Sequence, residues 1–439
     1  MIDLAERKQT DFVTPKNHNK KVVLSGFIEK IRLIGKNLVF LVLKDIKGSV
    51  QITFKKENFN EKDLKEISSI PIQSVISLEG IVKKSKLCKK GVEVIAKKYE
   101  ILSKSAPNLP IDFNSETGLD KRLDNRWIDL RTEKNTLIFQ ILSDFINFSR
   151  EYLLKNEFIE IFTPKIIGAA SEGGAEVFEL PYFDKKAYLA QSPQFFKQMA
   201  LSAGFEKVFE VAPVFRADPS STSRHVTEFT SFDLEMAYIT SFEDVMKVEE
   251  NMIAYSIKKI KEKWGGKVKE VFDIDLIIPR IPFPRLKMEE VYKILQKNGS
   301  KIKKGEDIST TDERIIGEYV KKKFNHDFVF ITDYPWKVRS FYHMRDSKNN
   351  SLSFDLLYKG VEITTGAQRE HRYEKLVSQA KEKGLNLKLL DFYFNFFKYG
   401  CPPHGGFGLG PARFVKQMLD LSNIREAIFL PRDMKRLMP

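Results

Sequence analysis

The chain has 439 residues, enough for two or three domains, and no apolar run approaches the roughly 18 residues of a membrane span. Lysine and arginine total 73 against 59 aspartates and glutamates, a formal charge of +14 that favours a polyanionic partner such as nucleic acid. Two distant cysteines, Cys88 and Cys401, argue against a zinc site or a disulfide framework. The charged start MIDLAERKQTDF lacks the apolar centre of a signal peptide, so a soluble, cytoplasmic protein is expected.

In chain order, residues 21–102 carry five short strand-like runs: KVVLSGFIEKIRL, NLVFLVLKD, GSVQITFKK, SVISLEGIVKK and GVEVIAKKYEIL. One helical segment, NEKDLKEISS, falls between the third and fourth. That order is the order of an OB barrel, which often binds single-stranded nucleic acid, and it predicts a first domain over 1–102. The stretch 103–130 begins rich in Pro, Ser, Asn and Asp and reads as a hinge. The remainder, 131–439, opens with the amphipathic run TLIFQILSDFINFSREYLLKN before FIEIFTPKII, after which longer strands alternate with helices. Helical periodicity is strong over 242–263 and 411–421. The chain as a whole reads as α+β.

The segment FRADPSSTSRHVTEFTSFDLEM, 215–236, reads as the loop and return strand of a hairpin. Period-two alternation puts Phe209, Phe232, Leu234 and Met236 on a core face and gathers Arg216, Phe229, Asp233 and Glu235 on the other. Phe229 alone is equally an ordinary half-exposed sheet residue. With Arg216 and Arg224 beside it, a nucleotide explains more: arginines grip phosphates bidentately and an aromatic stacks on a base.

These residues resemble motif 2 of the class II aminoacyl-tRNA synthetases. GFGLGPARF resembles their motif 3 (about 404–421), and the long helix with FIEIFTPKI resembles their motif 1 (about 135–165), ending in Pro164. The resemblance implies an antiparallel sheet flanked by helices, a homodimer formed through motif 1, and amino-acid activation by ATP with Mg²⁺. It assigns Arg216 to the α-phosphate, Arg224 and His225 to the pyrophosphate end, Phe229 to adenine and Arg413 to the γ-phosphate. Family members usually carry an acid before that last arginine; Ala412 stands there instead, which leaves open what supports Arg413.

SFDLLYKGVEITTGAQR reads as a second hairpin turning at Lys359-Gly360, with Leu357 opposite Glu362. Asp355 and Glu362 then share a face. Two carboxylates without an evident internal cation suggest Mg²⁺ held together with ATP phosphates, although two solvated acids on a sheet face would look the same. In the class II enzymes, acids at the matching places bind magnesium, and Glu362 also belongs to the ATP site.

LAQSPQFFKQM and GAQREH resemble the aspartate-specific branch. That resemblance assigns Lys197 and Arg369 to the side-chain carboxylate of aspartate, and Glu172, Ser192, Gln194 and Asp233 to the surroundings of its α-amino group. Taken alone, Lys197 reads equally as a surface lysine on an amphipathic helix. Asparagine would aim amide donors at the same cations, which disfavours it. In the barrel, Arg32, Phe40 and Gln51 match the residues that read the anticodon of tRNA(Asp), although Phe40 shares parity with Leu38 and Val42 and reads equally as core. Anticodon residues disfavour an asparagine synthetase-like enzyme, and the complete set of ATP arginines disfavours a non-catalytic tRNA-binding regulator. Whether tRNA(Asn) is also charged stays open, as does an asparaginyl-tRNA synthetase as the nearest rival. His404 is expected near the pocket, and no histidine pair has metal-ligand spacing.

Overall fold

The computed structural model describes residues 1–86, 88, 90–113, 117–168, 176–219 and 222–438. Two compact units are present, Met1–Thr136 and Leu137–Pro439.

In the first unit, strands β1 (Lys21–Ile34), β2 (Leu38–Asp45), β3 (Gly48–Lys55), β4 (Val75–Lys84) and β5 (Val92–Ser103) run in the order β1-β2-β3-β5-β4. Pairing of β1 with β4 closes the barrel. Alternation drives the inside: Val39, Leu41 and Leu43 of β2 are fully buried, together with Ile52, Phe54, Ile76, Leu78 and Val94. Gly26 is required where β1 comes close to the backbone of β2, since a Cβ there would lie 2.3 Å from the Lys44 carbonyl oxygen. Helix α1 (Glu61–Ser68) starts at a capping box formed by Asn60 and Asp63 and buries Leu64 and Ile67. The segment read as a hinge contains two short helices, Leu119–Asp124 and Arg126–Asp129, the second carrying a buried Arg126–Asp129 ion pair.

The second unit is built on one eight-stranded sheet. Its strands are β6 (Ile159–Glu160), β7 (Lys207–Phe215), β8 (Glu228–Ala237), β9 (Arg285–Lys287), β10 (Phe328–Thr332), β11 (Ser353–Tyr358), β12 (Val361–Gln368) and β13 (His404–Leu409). They lie in the order β9-β10-β11-β12-β13-β8-β7-β6. The sheet is antiparallel except at its two edges, where β9 with β10 and β6 with β7 run parallel. One face packs on helix α2 (Glu133–Lys155), through Leu137, Ile141 and Phe145, and on α3 (Phe242–Phe272), through Met246, Met252 and Ile253. Helix α3 runs past the 263 read from periodicity and crosses Gly265-Gly266, because Val268 is buried and Val271 and Phe272 pack on the same core. Packing outweighs the roughly 1 kcal/mol that each helical glycine costs. Among the described residues no helix is long and apolar enough to cross a membrane.

Candidate active site

The opposite face of the sheet carries the chemistry. In the β7–β8 hairpin Glu210 pairs with Asp233, Val208 with Glu235 and Val214 with Phe229, so the expected parity holds. Phe209, Phe232 and Leu234 are buried in the core, and Asp233 and Glu235 point the other way. Next to β8, strand β13 sets Gly406 opposite Glu235 and Gly408 opposite Asp233. A Cβ at Gly406 would lie 2.4 Å from Glu235 Oε2, and one at Gly408 would lie 3.0 Å from Asp233 Oδ1. The GGFGLG alternation therefore places Phe407 and Leu409 in the core and leaves room for two acids beneath the glycines.

A cavity of about 420 Å³ on this face brings together Ser192, Gln194, Arg216, Arg224, His225, Phe229, Asp233, Glu362, Arg369 and Arg413. A larger groove of about 740 Å³, bordered by Ile274–Arg280, contains none of them. Glu172 lies outside the described residues.

One end of the cavity is closed by buried ion pairs. Lys197, on a helix over Gln194–Ser202, is fully buried rather than a surface lysine. Its Nζ donates to Asp233 Oδ1 at 3.0 Å and to the carbonyls of Leu234 and Phe407 at 3.3 Å, and lies 3.3 Å from Glu235 Oε2. Arg369 donates through Nε to Glu235 Oε1 at 2.8 Å and through Nη2 to Gln194 Oε1 at 3.2 Å and Gly406 O at 3.0 Å. Glu235 is thus shared by both cations. Burial raises its pKa, but Arg369 and then Lys197 outweigh that and hold it below the usual carboxylate range. Behind it His404 Nδ1 donates to Pro402 O at 2.8 Å, so Nε2 accepts from Gln198 at 2.8 Å, and Tyr393 OH donates to Gln198 Oε1 at 2.9 Å. Burial pushes His404 down to about 4 and keeps it neutral, and its carbonyl accepts from the Arg369 amide.

The other end is cationic and more open. Arg216 lies 5.5 Å from the centre of the Phe229 ring. Arg413 sits in the first turn of the helix Pro411–Met418, with Pro411 at its start. Its Nη1 donates to Glu362 O at 2.9 Å and approaches Glu362 Oε1 at 3.5 Å, so the support missing at Ala412 comes from across the sheet. His225 Nδ1 is 2.6 Å from Thr222 Oγ1. Burial lowers its pKa, opposed by Asp218 and reinforced by Arg413, Arg224 and Arg216.

In the β11–β12 hairpin Leu357 opposes Glu362 as expected, but a bulge between Leu356 and Leu357 then sets Asp355 opposite Thr365. The expectation that the two acids lack an internal cation is corrected. Arg339 Nη2 donates to Asp355 Oδ2 at 2.5 Å, and Arg413 faces Glu362. Asp355 Oδ1 stays buried without a hydrogen-bond partner, and burial followed by Asp355 raises Glu362 to about 7 although its carboxylate faces the cavity. Among the described residues no group of three or more His, Cys, Asp or Glu could hold a metal. An orphaned oxygen and a destabilised carboxylate fit Mg²⁺ all the same, since that ion takes one or two carboxylates plus phosphate oxygens.

On the barrel, Arg32 pairs with Phe40, Phe40 with Thr53 and Val42 with Gln51. Phe40 is half-buried on the outer face, and its neighbours Val39 and Leu41 are the core residues. Gln51 Nε2 donates to Glu93 at 3.2 Å. Sequence reasoning did not single out Glu93, Arg339 or the bridging role of Glu235, because their partners Gln51, Asp355, Lys197 and Arg369 stand in other elements of the fold.

The model of class II tRNA synthetases for D, K and N matches residues 118–434, and the OB-fold nucleic acid binding model matches 22–102. The chain belongs to this synthetase family. It is 42% identical over 431 residues to the aspartate–tRNA(Asp) ligase of Pyrococcus furiosus, covering 97% of this chain and 98% of that protein. It is 43% identical over 427 residues to the aspartate–tRNA(Asp/Asn) ligase of Aeropyrum pernix, covering 95% and 96%. The asparaginyl-tRNA synthetase of Pyrococcus horikoshii, solved with asparaginyl-adenylate, superimposes with a TM-score of 0.92 at 33% identity, covering 99% and 100%. Within the family, the chain stands with the aspartate–tRNA ligases.

Proposed function

We propose that the chain joins L-aspartate to ATP, releasing pyrophosphate, and transfers the aspartyl group from the adenylate to tRNA(Asp). The observation that carries this reading is the charge balance of the closed end. Lys197 and Arg369 face Asp233 and Glu235, so the buried cluster is neutral before substrate enters. Aspartate brings an α-ammonium for Asp233, with Ser192 and Gln194 beside it, and a side-chain carboxylate for the cation pair, so the cluster stays neutral. With the α-carboxylate of either amino acid directed to the ATP end, asparagine would bring the ammonium to this cluster without a side-chain charge and leave one buried charge uncompensated, which costs several kcal/mol.

At the open end Phe229 stacks on adenine and Arg216 binds the α-phosphate, where negative charge grows as the carboxylate oxygen attacks phosphorus. Arg224, His225 and Arg413 take the departing pyrophosphate. Fixed cations stabilise that transition state without proton transfer. Asp355 and Glu362 would hold Mg²⁺, which supplies further neutralisation of the phosphates when bound. Arg32, Phe40 and Gln51 meet the anticodon, whose splayed bases need a stacking face and a charge-assisted donor. A cytoplasmic homodimer is the assembly we favour. Ile159, on the edge strand, and Phe162 beyond it are 49% and 83% exposed, apolar surface that a second copy of motif 1 would cover.

Charging assays with tRNA(Asp) and tRNA(Asn) transcripts test the transfer. Aspartyl product on tRNA(Asp) is expected. Absence of product on tRNA(Asp), from protein that forms the adenylate, overturns the tRNA half of the reading, and equal product on both transcripts identifies tRNA(Asn) as a second acceptor.

A further inference from the structure

Glu313 has no assigned part in the site, yet it lies at the junction of the two halves of the phosphate end. It sits in the first turn of the helix Thr310–Phe324, whose start is fixed by a capping box between Ser309 and Asp312. Two glycines bring that helix onto the second hairpin. A Cβ at Gly317 would lie 2.5 Å from Gly360 Cα, and Gly360, with φ +70° at the turn, would meet Arg314 Cα at 3.0 Å. This approach carries the Glu313 carboxylate to the hairpin, where Oε2 accepts from the backbone amide of Glu362 at 2.8 Å. The same carboxylate accepts from Arg224 Nη1 at 3.0 Å and 2.8 Å, and Arg224 Nη2 donates to the Thr310 hydroxyl. Glu313 is 3% exposed, so water does not compete for these bonds.

The use of the guanidinium is informative. Nη1 is committed to Glu313 and one hydrogen of Nη2 to Thr310, which leaves Nε–H and the other Nη2–H. Donors left on a planar guanidinium can meet the oxygens of a phosphate. Arg224 lines the cavity. We propose that Glu313, with Thr310, is a positioning residue that aims the remaining donors of Arg224 at the ATP phosphates and ties it to the backbone of Glu362. One buried carboxylate would then fix a phosphate-binding arginine and a metal-binding strand in a common frame. This inference rests on the ATP-dependent activation proposed above.

The test is aspartate-dependent ATP–pyrophosphate exchange with ATP and aspartate varied separately. Glu313→Gln keeps an acceptor but loses the charge, and is expected to raise the KM for ATP about tenfold, the scale of one charge-assisted hydrogen bond, while the KM for aspartate stays within about twofold. Thr310→Val should shift the same parameter in the same direction by about threefold. In an Arg224→Ala background, adding Glu313→Gln should change exchange by less than about twofold, because the partner being aimed is gone. A Glu313→Gln enzyme with an unchanged or lowered KM for ATP overturns the proposal. So does a loss of equal size with and without Arg224, or one spread equally over ATP and aspartate, which a purely structural role would give. Should Glu313→Gln not fold, Thr310→Val decides alone by the same split. A wild-type protein without aspartate-dependent exchange would instead remove the activation reading itself.

Discussion

The two ends of the cavity solve opposite problems. At the closed end both Lys197 and Arg369 are engaged inside the protein: Lys197 is fully buried among two acids and two carbonyls, and Arg369 is held by Glu235, Gln194 and Gly406. At the open end the Arg216 side chain lies against the Phe229 ring, and Arg224 and Arg413 are each held on one side of the guanidinium. A closed network fixes charges so firmly that a ligand of the wrong charge cannot be accommodated by side-chain movement. An open one leaves donors for a ligand that brings its own negative charge and metal. On the proposed reading, specificity is built by saturation at one end and catalysis by availability at the other.

Breaking the closed end should have the largest effect. Arg369→Ala or Lys197→Ala leaves Glu235 buried with one cation fewer, a cost of about 3–5 kcal/mol for a broken buried pair. Aspartate-dependent exchange should fall by more than about two powers of ten with the KM for ATP nearly unchanged, and thermal denaturation should move down. Full burial puts Lys197→Ala on a par with Arg369→Ala, since no water reaches Nζ to replace it. Neither variant should activate asparagine well, because lost repulsion does not build an amide site.

At the open end, Arg216→Ala should raise the exchange barrier by about 3 kcal/mol, a fall of about two powers of ten in kcat and the scale of one donor to a developing charge. Here stability should hold, because no buried partner is left behind.

His404 sharpens the contrast by pH. Its folded-state value near 4 lies below the ordinary 6.5, so its contribution to stability is fully present above 6.5 and is lost as the pH falls towards 4. The loss is about 1.4 kcal/mol per pH unit over that window. Denaturation midpoints of a His404→Gln variant should show a shallower decline between pH 6.5 and 4 than those of the wild type.

The smallest effect is expected at Phe229→Ala, where losing a stacked base weakens ATP binding by about 1–3 kcal/mol, read as a raised KM for ATP with the KM for aspartate unchanged.

What the sequence disclosed divides along the same line. Strand parity needs only neighbours two residues apart, so the faces of both hairpins and the barrel strands were legible. Phe40 remained ambiguous because β2 is apolar at consecutive positions, and only the closed barrel shows which parity points inward. The bulge after Leu356 left no local signature. The pairing of acids with cations was illegible for a different reason: Glu235 lies 134 residues from Arg369 and Glu313 lies 89 from Arg224, so only the folded chain brings them together. Lys197 looked amphipathic within its helix, and its burial follows from the acids on β8 that no helical pattern contains.

The central claim is that a neutral buried cluster selects an amino acid carrying one extra negative charge. Pyrophosphate exchange by the wild-type protein with ATP, Mg²⁺ and each amino acid in turn tests it most directly. The account predicts exchange with aspartate and at least about a hundredfold less with asparagine, the scale set by an uncompensated buried charge. Comparable exchange with asparagine, or none with aspartate from protein that still binds ATP, would contradict it.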